Sequence, residues 1–159
     1  MKLARAIHFD ESDLRVYHSP ARTGEWCLPG GFEFSDWGEG DLVGKARQAF
    51  ANGWLGAETF GRVTFVAVTQ IEADEAEAVT QALARHFVEI YGAPDIEAAL
   101  PVARDEVAQM ADLCEDHAPN TLLTVMRELT GAGVRETYGT IAPQGAELDL
   151  VAVHGALDE

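Results

Sequence analysis

Phe60-Gly61-Arg62-Val63-Thr64-Phe65-Val66-Ala67-Val68-Thr69-Gln70-Ile71 is a dense run of β-branched and aromatic residues. Val63, Phe65, Val66, Val68 and Ile71 crowd into the length of one element, which fits a central strand covered on both faces. Upstream of it, Leu3 to Phe9 alternates apolar with polar residues, and Leu14 to His18 follows the polar cluster Asp10-Glu11-Ser12-Asp13, so the pair reads as a hairpin. Trp26 to Phe34 reads as a further short strand, broken or bulged at Pro29-Gly30-Gly31, with Phe32 and Phe34 buried and Glu33 turned the other way. Asp41 is placed to cap a helix over residues 42–55, whose stripe is Val43, Ala46, Phe50, Gly53 and Trp54.

Downstream, Asp74-Glu75-Ala76-Glu77 reads as a capping box. It opens a helix that runs to about Tyr91, carries Val79, Leu83, His86, Phe87 and Ile90 on one stripe, and ends at Gly92. A short helical turn near Asp95 precedes a second long helix with Pro101 as its first residue, reaching about Cys114. Its inward stripe is Ala103, Val107, Met110, Ala111 and Cys114, and the short link makes the two helices antiparallel. Thr121 to Leu129 and Val134 to Ile141 flank Thr130-Gly131-Ala132-Gly133, a loop suited to a hairpin. Strands first, helices in the middle and a closing hairpin predict an α+β fold. The expected architecture is an antiparallel sheet of about five to seven strands with two to three helices packed on one face. Residues 1–142 form one domain in this reading, and residues 143–159 a C-terminal strand, at Leu148 to Val153, or a mobile tail.

The 159 residues suffice for one core without metal or disulfide staples. Two cysteines, no signal-like N-terminus and no apolar run near the ~20 residues of a membrane span point to a soluble protein of the reducing cytoplasm. The net charge of -16 is unevenly spread: residues 1–72 carry seven basic and ten acidic groups, residues 73–159 four and seventeen. Between Asp74 and His117, eleven carboxylates stand against Arg85 and Arg104. Nucleic acid is excluded as a partner class, because its phosphates are bound by neutralising Lys and Arg. The acidic helical region reads either as a solubilising surface or as a docking face for a basic protein.

The run Trp26-x-Leu28-Pro29-Gly30-Gly31, with Glu33 after it, resembles the opening of the Nudix hydrolase box, which implies a metal-binding helix rich in carboxylates. The segment in that place, Lys45-Ala46-Arg47-Gln48-Ala49-Phe50-Ala51-Asn52-Gly53-Trp54, has none, so Nudix chemistry is rejected. A second resemblance is carried by Glu25-Trp26-x-x-Pro29-Gly30-x-Phe32-x-Phe34, by Gly44-Lys45-Ala46-Arg47-Gln48-Ala49-Phe50 with Gly53 and Leu55-Gly56, and by Leu113-Cys114-Glu115. Over roughly residues 1–142 the chain resembles an uncharacterised family of small acidic bacterial proteins, a domain of unknown function. The Lys45 to Phe50 block is the most specific part. Such a family lends no catalytic residues.

The candidate contact residues are Trp26, Glu33, Asp36, Trp37 and His86. Trp26 and Trp37 belong to an aromatic cluster that is either core or partner anchor, and His86 is either a packed core histidine or a base oriented by Glu89 or Asp105. Cys114 and His117 have the spacing of half a zinc site; lacking the other half, they read better as a core thiol and a helix-terminal charge. No nucleophile elbow or phosphate loop is present, and no cofactor is expected. Two function classes remain. One is a non-enzymatic accessory or interaction protein that uses the acidic helical face. The other is a small-molecule or divalent-cation binder, or enzyme, on the Glu25 to Asp41 loop, with Glu33, Asp36, Glu39 and Asp41 as oxygen ligands. A hairpin edge would suit pairing of two copies in a homodimer.

Overall fold

The computed structural model describes residues 1–9 and 11–141. Among these residues seven strands, β1 (Lys2–Ile7), β2 (Trp26–Leu28), β3 (Trp54–Gly56), β4 (Arg62–Val63), β5 (Phe65–Gln70), β6 (Leu122–Thr130) and β7 (Gly133–Ile141), join three α-helices, α1 (Gly44–Asn52), α2 (Ala73–Tyr91) and α3 (Ile96–Glu115). All strands pair antiparallel in one sheet of order β4-β3-β2-β1-β5-β6-β7. The α+β class and the strand and helix numbers agree with the sequence reading. Residues 143–159, and with them the expected strand at 148–153, lie outside the described residues.

The sheet is curled, and chain length alone requires it. β4 and β5 are separated only by Thr64 yet stand four places apart in the sheet. In a flat sheet that is about 19 Å at ~4.8 Å per strand, whereas two residues of chain span only about 7 Å. The rings of Trp54 on β3 and Tyr138 on β7 also stack at 5.8 Å across the curl. The expected single strand over Phe60 to Ile71 is therefore corrected: Arg62–Val63 forms an edge and Phe65–Gln70 the centre. Between them the Thr64 hydroxyl bonds that of Tyr17 at 2.7 Å.

Paired residues share a face of the sheet. Ala4 and Ala6 of β1, Cys27 of β2, Val66 and Val68 of β5, and Leu123 and Val125 of β6 thus make one buried face. It joins Val79, Leu83 and Phe87 of α2 and Ala99, Ala103, Val107, Met110 and Cys114 of α3 in a single core. The small side chains on β1 and α3 let strand and helix approach closely. Ile90, expected inward, is 63% exposed; the end of α2 packs on Phe32 through Phe87 and Tyr91 instead.

Several local expectations are overturned by competing bonds. β1 has both edges taken, by β2 and β5, so Leu14 to His18 cannot pair with it, and residues 11–15 form a 3₁₀ turn instead. The strand from Trp26 stops at Leu28 because Gly30 is left-handed, at φ 66°; Gly31–Phe34 then winds into a 3₁₀ turn, so Phe32 and Phe34 do not alternate on a strand. Asp41 accepts from the Gly38 N–H at 2.8 Å rather than capping α1, which Val43 precedes. The N-terminal bond of α2 runs from the Glu72 N–H to Glu75, at 3.4 Å. α3 begins earlier than expected because Asp95 accepts from the Ala98 N–H at 2.8 Å. Pro101 therefore lies inside the helix, where it removes one backbone bond. The β6–β7 hairpin tightens to a two-residue loop, since Thr130 pairs with Gly133.

Gly30 is fixed by conformation and by space together: a Cβ there would lie 2.5 Å from the Leu55 Cβ. Gly30→Ala is expected to cost about 2–4 kcal/mol from left-handed strain plus overpacking. Gly38→Ala, with open space around it and a negative φ, is expected to be near neutral. Urea denaturation of the two variants checks the contrast.

Candidate functional site

Two buried arginines converge beneath the loop that follows β2. Arg62 donates to the carbonyls of Pro29 (3.2 Å), Gly53 (3.0 Å) and Gly30 (3.0 Å), and to Glu33 Oε1 at 2.5 Å. Arg127 donates to the carbonyls of Phe50 (3.0 Å), Gly53 (2.9 Å) and Pro29, and to Glu136 Oε2 at 2.7 Å. The Phe34 ring lies beside both, 4.5 Å from the Arg62 guanidinium carbon and 5.1 Å from that of Arg127. Burial lowers the Arg62 pKa, Glu33 works against that shift, and Arg127 adds to it. Each guanidinium has one carboxylate, so the buried charge is balanced and nearly every donor is used.

Glu33 and His86, singled out in the sequence, are brought together here. Glu33 Oε2 accepts from the Tyr91 hydroxyl at 2.8 Å and lies 3.7 Å from His86 Nε2. That separation exceeds a hydrogen bond, and His86 Nε2 is buried with no partner. The imidazole is stacked on Phe60, with ring centres 3.7 Å apart and planes 1° from parallel. Burial first, then the bond to Glu33, raises the Tyr91 pKa, which keeps the phenol a neutral donor. Because Nε2 is sealed from solvent and Glu33 is already engaged by Arg62 and Tyr91, the cluster holds the 3₁₀ turn against the end of α2.

The remaining candidates lie apart from this cluster. Trp26 is covered by the Arg5 guanidinium at 4.0 Å, Trp37 packs edge-on to Phe34 and stacks on Phe50, and Asp36 is exposed. Glu25 is consumed: it accepts from the N–H groups of Arg22 (2.5 Å), Glu58 (2.8 Å) and Thr59 (2.9 Å), and from the Thr59 hydroxyl (2.7 Å). Cys27 and Cys114 are free and buried; burial pushes the Cys114 thiol up to about 12 and raises that of Cys27 as well. The backbone N–H of His117 bonds the Cys114 carbonyl at 3.1 Å. Among the described residues no group of three or more His, Cys, Asp or Glu is placed to hold a metal ion.

Beside the arginine cluster, an open cleft of about 430 Å³ lies between the Pro29 to Ser35 segment, α3 and β7, with Phe32, Glu106, Gln109 and Glu136 among its walls. Both Glu136 oxygens are occupied, by Arg127 Nε and by the Tyr138 hydroxyl at 2.5 Å. The Glu106 carboxyl, half-buried, has neither a hydrogen bond nor an ion pair among the described residues. Its pKa is raised, first by burial and then by Glu136 and Asp105.

Arg62, Arg127, Tyr91, Glu106 and Glu136 were missed in the sequence. A signal existed for the two arginines: each interrupts an apolar strand, and a charge on a covered strand must find partners. Which carbonyls it finds is not written locally. Arg127→Ala is expected to cost about 3–5 kcal/mol by leaving Glu136 without its cation and the Phe50 carbonyl without its donor. Arg127→Lys should recover only part of the loss, since one ammonium cannot span that fork; denaturant midpoints decide. For Glu106 the folded form holds its proton more tightly than the unfolded chain, so its contribution is favourable in acid and turns into a cost as pH rises through the folded pKa. Glu106→Gln should therefore raise Tm at pH 7, with the gain vanishing below the ordinary carboxylate range, as thermal melts across pH will show.

No curated protein matches the chain, and no solved structure does. A family model matches from residue 1 to residue 159, past the limit near residue 142 drawn from the sequence resemblance. The chain belongs to DUF6505, a family of unknown function.

Proposed function

We propose that this protein is a non-enzymatic accessory or interaction protein that docks a basic protein partner on the face formed by α2, α3 and their flanks. The observation that carries this reading is the imbalance of exposed charge there. Of the eleven carboxylates between Asp74 and Asp116, ten are exposed and Glu106 is half-buried, against two exposed arginines. Arg104 is already paired with Glu77 at 3.3 Å. The buried charges around Phe34, by contrast, are matched one to one, so the uncompensated acid is a property of the surface. A face of one sign steers an oppositely charged partner and speeds encounter, and it disfavours nucleic acid.

The cation version of the loop reading is less favoured, because two of its four ligands are already engaged. Glu33 is engaged by Arg62 and Tyr91, and Asp41 by the Gly38 N–H. The setting assigned here is the cytoplasm, where two buried thiols stay reduced. β7 pairs only with β6 among the described residues, and its outer edge suits a second copy of the chain.

The test is capture of partners from native lysate at low salt, repeated near 1 M salt, where the screening length falls from about 10 Å to about 3 Å. A partner that is basic, is released by salt and is lost with the double variant Glu97→Lys, Asp112→Lys supports the reading. Retention by that variant, or no partner at low salt, overturns it.

A further inference from the structure

We propose that the cleft between the Pro29 to Ser35 segment, α3 and β7 is the anchor pocket for one lysine or arginine side chain of the basic partner. The inference rests on the docking reading above and gives it a centre. Glu106 is a half-buried carboxylate with no cation of its own among the described residues, facing a second carboxylate, Glu136, that Arg127 and Tyr138 hold in place. An arriving ammonium or guanidinium would supply the missing counter-charge. The other walls suit the rest of such a side chain: Phe32 and Pro29 offer apolar surface to an aliphatic stem, and Gln109 and Ser35 offer polar atoms near its head. The cleft is also braced, because Phe32 packs edge-on to Phe87 of α2 at 5.0 Å and Gly31 leaves no room for a side chain against Glu136. Charge complementarity therefore acts on a formed cavity rather than on a diffuse acidic surface, and a planar guanidinium, with five donors, fits two carboxylates and an amide best.

Acetyl-arginine amide, with acetyl-citrulline amide as its uncharged counterpart, is titrated into the full chain while backbone amide NMR signals are followed. Saturable shifts at Gly31 and Gln109 with arginine alone, weakened about tenfold or more by Glu106→Gln, are expected from the loss of a charge-assisted contact. Glu106→Gln removes no folded-state bond, and Gln109→Ala provides a second, independent lesion of the same wall. Equal shifts with citrulline, or undiminished binding to Glu106→Gln, would overturn the pocket. Tighter binding of spermidine than of the arginine probe would overturn the choice of a protein side chain in favour of a free amine. The outcomes are separable from those of the docking face: salt-sensitive capture that survives Glu106→Gln sinks the pocket alone, and arginine binding in the cleft without any captured partner sinks the face alone.

Discussion

Arg62 and Arg127 donate to the same two carbonyls, those of Pro29 and Gly53, although their strands stand five places apart in the sheet order. A guanidinium taken out of water must replace its lost hydration with hydrogen bonds and a counter-charge. Here the carbonyls come from the loop after β2 and the end of α1 with its junction to β3, and the counter-charges from Glu33 of that loop and Glu136 of β7. The clasp is what holds the two ends of a curled sheet together. Without it, β3 and β4, with five residues between them, have little pairing to keep them in register with the centre.

The loop geometry follows from that constraint. Pro29 and Gly30 present carbonyls inward because Gly30 can turn left-handed against Leu55, and Gly31 passes close to Glu136 because it has no Cβ. The glycine pair that resembles a hydrolase opening thus serves close packing over two arginines. Phe34 lies beside the two cations, contributing the face of its ring. Phe50 and Trp37 complete an aromatic layer that keeps water from the clasp.

Charge is partitioned by depth. Inside, Arg62 with Glu33 and Arg127 with Glu136 balance each other, and Glu25 is satisfied by backbone N–H groups and a hydroxyl. Outside, α2 and α3 carry acid with little base. Glu106 lies at the boundary, its pKa raised first by burial and then by Glu136, with no partner among the described residues to offset the cost. A protein that balances its interior so closely and leaves this boundary unbalanced has its spare electrostatic energy in one cleft and one face.

The sequence by itself determined the elements whose signal is local. Helical stripes marked α2 and the body of α3, with Gly92 left-handed at the end of α2; the glycine-containing loop marked the β6–β7 hairpin; and the run at Phe60 to Ile71 marked a central strand, though not its bounds. Glu33 and His86 were legible as polar residues among apolar neighbours, but their closeness was not. Tertiary structure alone decided which strands pair with β1, the split of Phe60 to Ile71 at Thr64, and the meeting of Arg62 with Arg127. The physical reason is range: periodicity and capping act over a few residues, whereas the clasp joins positions 29, 53, 62 and 127, whose bonds exist only once the sheet has curled.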